Sequence, residues 1–307
     1  MNGYKPMKTR LVIIICACIR LYLQYSPSTI GKFFVWNKLI QPYIAWRSTV
    51  VTAKTKYGAK FPYEIRNWGQ LFLYFFGVYE PAVAAYAASV LVPGDVVVDV
   101  GANAGIHTVL FSRLVGPRGR VHAIEASPSI FKRLQANLAL NGAEGNTITH
   151  NVAILDAPGR VPVYLHDSYN DGGTTIVSTE AARRDTHQEG TVEGKPLEQV
   201  IPIDDLLRAK LIKIDVEGAE WLVVQGMRPI LPRLPRDCSI LVEVTPRALA
   251  DFGASVEDLK QLFQSNGFEA FRLPRQDVEF YIRRPSTVPQ TLTDDRFELA
   301  DLLFRRP

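Results

Sequence analysis

The chain has 307 residues, 47% of them apolar and 21% charged, with 35 Lys and Arg against 31 Asp and Glu. That composition excludes a disordered polymer and supplies a sizeable core, and the length admits one large α/β domain or two smaller units. A net charge of +4 is too mild to mark a dedicated nucleic-acid binder. Three cysteines, Cys16, Cys18 and Cys238, are odd in number and lack metal-ligand spacing, which favours a reducing compartment.

The N-terminus carries Lys5, Lys8 and Arg10, followed by a nine-residue apolar run over 11–19 that Arg20 stops. A membrane span needs about 17–25 apolar residues, so the run is too short to cross a bilayer. Three roles stay open for it: an interfacial anchor making peripheral membrane contact through residues 8–23, an ordinary buried helix, and a targeting segment. Residues 24–93 are rich in aromatic side chains, among them Trp36, Trp68, Phe72 and Phe76, and such density is first of all packing material. An Ala-rich segment at 81–92 reads as a helix with Pro81 in its first turn, closed by Pro93-Gly94.

Residues 96–100, Val-Val-Val-Asp-Val, have the β-branched character of a strand covered on both faces. Gly101-x-Asn103-x-Gly105 then turns the chain into a helix over 106–115, whose free N–H groups point at whatever the turn approaches. A second strand over 120–124 ends at Glu125, 24 positions after Gly101, where an α/β nucleotide site places its ribose-binding acid. A helix over 129–140 and a strand over 147–152 follow. Residues 159–166 and 174–178 read as inserted antiparallel strands around the loop at 170–173, and 179–195 as a polar surface loop. The strand over 211–214 runs into Asp215 and Glu217, two apart and so expected on one face, before Gly218 and a helix entry. Further strands are expected at 239–245, 268–273 and 279–283, with a helix at 256–266 and a Pro-rich, then weakly helical, tail from 285.

The glycine loop lacks the G-x-G-x-x-G spacing of dinucleotide dehydrogenases and the Lys-Ser/Thr pair of a P-loop, which points from pyrophosphate towards a cofactor with a nucleoside end and a compact zwitterionic end, such as S-adenosylmethionine. Val-Asp99-Val-Gly-Ala-Asn-Ala-Gly-Ile-His-Thr108, Ile-Glu125-Ala-Ser-Pro128, Leu134-x-x-Asn137-x-x-x-Asn141, Asn151-x-Ala153 and above all Leu211-Ile-Lys-Ile-Asp-Val-Glu-Gly-Ala-Glu220 resemble the FkbM-type methyltransferases over about residues 77–250. Ala126-Ser127 stands where that family often has Pro with another small residue.

The resemblance implies an α/β class I methyltransferase, a Rossmann-like, seven-stranded, mainly parallel sheet with one late antiparallel strand, helices on both faces and the inserted hairpin region. It divides the chain into an apolar, aromatic helical extension over 1–76, the methyltransferase domain over 77–285 and a tail over 286–307. It further implies S-adenosylmethionine as cofactor, held by Asp99, Gly101, Asn103, Gly105, Glu125, Asn151, Ala153 and Asp215. The methionine portion falls to the glycine loop, ribose to Glu125, adenine to 151–153 and the sulfonium end to Asp215.

Methyl transfer to a hydroxyl of a sugar, polyketide or related metabolite needs a positioned base, for which Glu217 stands first, with Asp215, His107 and His166 beside it. Two carboxylates without a third ligand in register assign no metal. The expected partner is a small-molecule or glycan acceptor and not nucleic acid, since no Asn-Pro-Pro-Tyr-like base-holding motif is present. The cofactor's source argues for the cytoplasm, with membrane association if the N-terminal run is an anchor. A non-catalytic, membrane-associated binding protein on this fold and a nicotinamide-dependent oxidoreductase are the competing readings.

Overall fold

The computed structural model describes residues 9–47, 49–166, 173–184, 186–274 and 277–307. The basic start at Lys5 and Lys8 and the loop residues 170–172 lie outside them. The described chain divides into two compact units, Met1–Pro81 with Gln276–Pro285, and Ala82–Arg275 with Ser286–Pro307.

The first unit comprises α1 (Thr9–Tyr25), α2 (Thr29–Val35), a π-helical stretch over Trp36–Ile44, the hairpin β1 (Val50–Lys54) with β2 (Lys60–Glu64), α3 (Trp68–Phe76), and a short helix over Val278–Arg283. Segment 279–283 was expected to extend as a strand; Asp277 instead accepts a hydrogen bond from the Phe280 N–H and caps a helix there. The aromatic-rich sequence is core material. Trp36 packs against Phe72 and Phe76 at 4.9 and 5.3 Å between ring centroids, and Tyr281 closes on Phe72 at 4.7 Å.

The second unit is built on one large sheet. Its strands are β3 (Val96–Val100), β4 (Arg120–Ile124), β5 (Thr147–His150), β9 (Ala209–Ile214), β10 (Ser239–Val244), β11 (Glu269–Arg272), β12 (Gln290–Thr291) and β13 (Ala300–Arg305), in the spatial order β12-β11-β13-β10-β9-β3-β4-β5. Strands β5, β4, β3, β9 and β10 pair in parallel. β13 runs antiparallel to both β10 and β11, so it alone is reversed among the seven longer strands, and the two-residue β12 adds an eighth at the edge. The reversed strand is the end of the tail expected to be weakly helical. Residues 300–304 lie between two apolar strands, and Leu302, Leu303 and Phe304 are fully buried there, so burial outweighs local helix preference.

Helices over Pro81–Val90, Ile106–Val115, Pro128–Asn141, Glu220–Gly226 and Val256–Gln264 accompany the strands. A second small sheet, β6 (Ala153–Ile154), β8 (Thr186–Lys195) and β7 (Gly159–His166), forms the insertion. Here β7 pairs antiparallel with β8, whereas 174–178 contributes only a bridge from Thr175 to Tyr164. Segment 179–195, expected as a loop, contains a helix over Ser178–Arg183 and then β8. Its Gly, Thr and Glu content disguised a strand whose pairing comes from a partner about 30 residues away.

Candidate active site

Strand register assembles the site. Val100 is level with Ile124 on one side and Ile214 on the other, so Gly101, Glu125 and Asp215 all leave the sheet at its carboxyl edge. The N–H groups of Gly101 and Ala102 both donate to the Ile124 carbonyl at 2.9 Å, and the Asp215 N–H donates to the Val100 carbonyl at 3.0 Å. Gly101 has φ +82°, and a Cβ there would lie 1.7 Å from the Asp215 carbonyl oxygen, so only glycine lets the two strand ends close. A Cβ on Gly105 would meet Leu134 Cδ1 at 2.6 Å, because the helix Pro128–Asn141 packs directly on the loop.

Glu125 organises the loop from the neighbouring strand. Its Oε2 accepts the N–H of Asn103 at 2.9 Å and its Oε1 accepts the N–H of Ser127 at 2.8 Å. Asn103 sits at φ +49°, an uncommon conformation for a residue with a side chain, and its Oδ1 accepts the next N–H, from Ala104. Burial pushes the Glu125 carboxyl up to about 7 against the opposing pull of these N–H groups. Each carboxylate oxygen keeps a lone pair for a further donor, as a ribose diol requires.

Asp99 is buried. Its Oδ2 accepts the Thr108 hydroxyl at 2.6 Å, whereas Oδ1 has no partner among the described residues. Burial raises its pKa, with Lys213 opposing.

Asn151 braces the backbone behind Glu125, its Nδ2 donating to the carbonyls of Glu125 and Ala126 at 2.8 and 2.9 Å. Ala153 is buried in β6, paired with Gly194 of the insertion. His107 lies in the first turn of the helix after the loop, buried and stacked on Phe111. Burial, helped by the Lys213 charge, drives its pKa far below that of a free imidazole. His166 lies at the end of β7, in the insertion.

The acidic tip after β9 departs from the expected pattern. Asp215 and Glu217 do not share a strand face, because β9 ends at Ile214 and Glu217 turns at φ +53°. The turn still keeps the two carboxylates close enough to repel. Burial first, and then Asp215, pushes Glu217 up to about 8, while Arg184 pulls it down. Lys213 pairs with Asp215 at 2.7 Å. The partner of Glu217 is Arg184 of the insertion, whose Nη1 donates to Oε2 at 2.8 Å.

Two further carboxylates fix this tip, and a third, Glu189, braces the neighbouring helix entry. Glu220 accepts the N–H groups of Val216 and Gly218 at 3.1 Å and has its own pKa raised to about 7 by burial. Glu180 is buried against Gly218 and pairs with Arg183 at 2.6 Å and with Arg247 at 3.4 Å. Glu189 of β8 accepts the Ser127 hydroxyl at 2.6 Å and the Ser129 N–H at 2.9 Å, tying the insertion to the helix entry behind Glu125. Of these, only Glu220 had a sequence signal, an acid in the first turn of a helix. Arg184 and Glu189 reach Glu217 and Ser127 across more than 30 residues and leave no local trace, whereas Glu180 pairs locally with Arg183 as well as with the distant Arg247.

Residues 99–270 match the family model described as "Methyltransferase FkbM domain". The chain belongs to the FkbM-domain methyltransferases. It is 29% identical over 200 residues to the 31-O-demethyl-FK506 methyltransferase FkbM of Streptomyces tacrolimicus, covering 57% of this chain and 73% of that protein. It is 28% identical to the hexuronic acid methyltransferase AglP of Haloferax volcanii over 43% of this chain and 50% of AglP. The AMB antimetabolite synthetase AmbE of Pseudomonas aeruginosa is 29% identical over 59% of this chain, and the match spans only 10% of AmbE. Among solved structures, the chain resembles an S-adenosylmethionine-dependent O-methyltransferase from Thermotoga maritima with a TM-score of 0.42 at 14% identity, over 85% of this chain and 78% of that one. Neither the nicotinamide oxidoreductase nor the non-catalytic reading gains support from these matches.

S-adenosylmethionine is the cofactor of this FkbM-domain chain, and the residues present fit it. The buried and unpartnered Oδ1 of Asp99 and the spare lone pairs of Glu125 lie on the same strand edge, which Gly101 closes against Asp215. On this arrangement Glu125→Ala weakens S-adenosylmethionine binding by about 1–3 kcal/mol, roughly 5- to 150-fold, since buried donors lose their acceptor. Affinity in the wild type rises as pH passes through about 7 and the Glu125 carboxyl ionises. Calorimetric titration checks both, and wild-type affinity in the variant would remove Glu125 from the ribose role.

Proposed function

We propose that the chain methylates a hydroxyl oxygen of a small-molecule or glycan acceptor, a sugar, polyketide or related metabolite, with Glu217 taking the hydroxyl proton. The observation that carries this reading is the Glu217 carboxylate itself. It stands two residues past Asp215 at the sheet's carboxyl edge, and burial and charge hold its pKa at about 8. An alcohol is a weak nucleophile until its proton is removed, and a base serves best when its pKa lies near the working pH. Arg184 orients the group by holding Oε2 and leaves Oε1 for the acceptor.

S-adenosylmethionine, when bound, supplies an electrophilic methyl group. What this chain adds is alignment: Gly101 and Gly105 let the backbone approach closely, Glu125 fixes one end, and Asp215 and Glu217 define the other. Asp215 is reserved by Lys213, and His107 is too weakly basic in its buried stack, which leaves Glu217 first among the candidate bases. The names of FkbM and AglP, one giving 31-O-demethyl-FK506 and the other a hexuronic acid, support an oxygenated metabolite as acceptor.

The test is transfer of labelled methyl from S-adenosylmethionine to a panel of sugars, uronic acids and polyketide alcohols. An alkali-stable product, as an ether gives, is expected. Alkali-labile label would mark a carboxyl ester, and label on nitrogen or carbon alone would contradict the reading.

A further inference from the structure

Residues 1–63 contain ten Lys and Arg and no Asp or Glu, the first acidic residue being Glu64. The rest of the chain carries 25 basic residues against 31 acidic, so the modest net charge conceals two parts of opposite sign. The same N-terminal part exposes apolar surface. Helix α1 buries Val12, Cys16 and Leu23 on one side, while Leu11, Ile14, Cys18, Leu21 and Tyr25, alternating three and four residues apart, stand out on the other. Exposure continues beyond α1 with Ile30 at 83%, Phe34 at 61% and Trp46 at 79%. Monomeric soluble proteins seldom leave such a run of large apolar side chains in water.

A second observation concerns cations. Lys32 of α2 is 4% exposed, yet neither it nor Lys56 has a carboxylate partner among the described residues. Their charged neighbour is another cation, Arg284, which is pinned by donating from Nη2 to the Gln24 carbonyl at 2.8 Å. Gln24 in turn donates to the Tyr74 and Phe75 carbonyls, so the support behind the cluster is built into α1 and α3. Partial burial first, and then the charges of Arg284 and Lys32, push Lys56 down to about 8. Burying a lysine beside like charges is unfavourable unless an anion completes the group.

We propose that this N-terminal unit docks the protein on an anionic phospholipid surface, with the exposed face of α1 and α2 at the acyl boundary, the exposed Lys56 and Arg284 receiving headgroup phosphate and the buried Lys32 adding its charge behind them. No single described helix is long and apolar enough to cross a membrane, so the helices lie along the interface, where Trp and Tyr are favoured. The three-four spacing on α1 also suits a partner helix. A second copy, however, would set ten cations against ten, whereas an anionic lipid surface neutralises them.

Sedimentation of the full chain with vesicles of phosphatidylcholine, alone or mixed with phosphatidylglycerol, tests this. Binding is expected to the mixed vesicles only and is lost at high salt. Lys56→Met, an exposed position, weakens binding about fivefold, the effect of one cation near an anionic surface. Ile30→Gln with Phe34→Gln, both exposed and harmless to packing, weakens it by about tenfold or more. Lys32→Met is read alongside its melting temperature: a folded variant with reduced vesicle binding is expected. Equal binding to phosphatidylcholine, or no change in the Ile30/Phe34 variant, overturns the proposal. So does a concentration-dependent dimer abolished by those substitutions, which gives the face to a second copy. Thermal stabilisation by inorganic phosphate without vesicle binding assigns the cations to a soluble anion and likewise overturns it.

Discussion

Glu217→Gln is expected to lower turnover by about 10²-fold or more, the range a general base contributes, while S-adenosylmethionine affinity stays within a factor of about three. The substitution keeps shape and hydrogen-bonding length but removes the only function the base needs. The pH profile gives an independent reading. Wild-type turnover rises as pH passes through about 8, where Glu217 loses its proton, and the variant lacks that rise. Stability carries the opposite sign. A carboxyl whose folded pKa is raised from 4.5 to about 8 binds its proton more tightly in the folded state, so its contribution is complete below about 4.5 and is lost as pH climbs to about 8. Glu125 and Glu220, raised to about 7, act in the same direction. Melting curves across this range therefore fall less steeply for Glu217→Gln than for the wild type. Unchanged turnover would remove Glu217 from the base role, and an unchanged melting profile would show that its proton is not held in the folded state.

Gly101→Ala carries the largest expected structural effect. A methyl group there would overlap the Asp215 carbonyl and must also occupy φ +82°. The conformational cost is about 1–2 kcal/mol, and overpacking against backbone that cannot turn aside adds about 1–3 kcal/mol. The strands carrying Asp99 and Asp215 would have to separate at their ends, so cofactor binding is lost together with stability. Gly142→Ala is the matched control. Gly142 has φ +63° but nothing within 4 Å of an added Cβ, so it bears the conformational cost alone. A melting temperature for Gly101→Ala several degrees below that of Gly142→Ala, with S-adenosylmethionine binding retained only in the latter, is expected. Equal melting temperatures would show that the close approach of the two strand ends is not what the glycine serves.

The parts of the site legible in the sequence are those written in a few consecutive residues. Valines at 96–100, glycines at 101 and 105 and the spacing to Glu125 specify a buried strand, a turn and a second strand tip, and register then puts them on one edge. The string 211–220 also gave its strand, turn and helix entry correctly. What it hid was the turn at Glu217, where a positive φ replaces strand alternation, and the partner of Glu217, Arg184, which lies 33 residues away.

A late antiparallel strand was implied by the resemblance, but its place in the tail was hidden. Residues 300–305 have no strong alternation, and only the hydrogen-bonding edges of β10 and β11 on either side make them a strand. The insertion shows the same limit, since β8 depends on β7 and the buried Glu180 depends in part on the distant Arg247. Charge segregation over residues 1–63, in contrast, needs no structure at all to be seen; what the fold adds is the burial of Lys32 without a counter-ion.

The most direct measurement is a calorimetric titration of the full chain with S-adenosylmethionine, run with S-adenosylhomocysteine and reduced nicotinamide dinucleotide alongside. One site per chain for the two sulfur ligands, weakened in Glu125→Ala and lost in Gly101→Ala, and no heat from the nicotinamide are expected. Well-folded protein that binds neither sulfur ligand would contradict the assignment of the Gly101, Glu125 and Asp215 edge as a cofactor site.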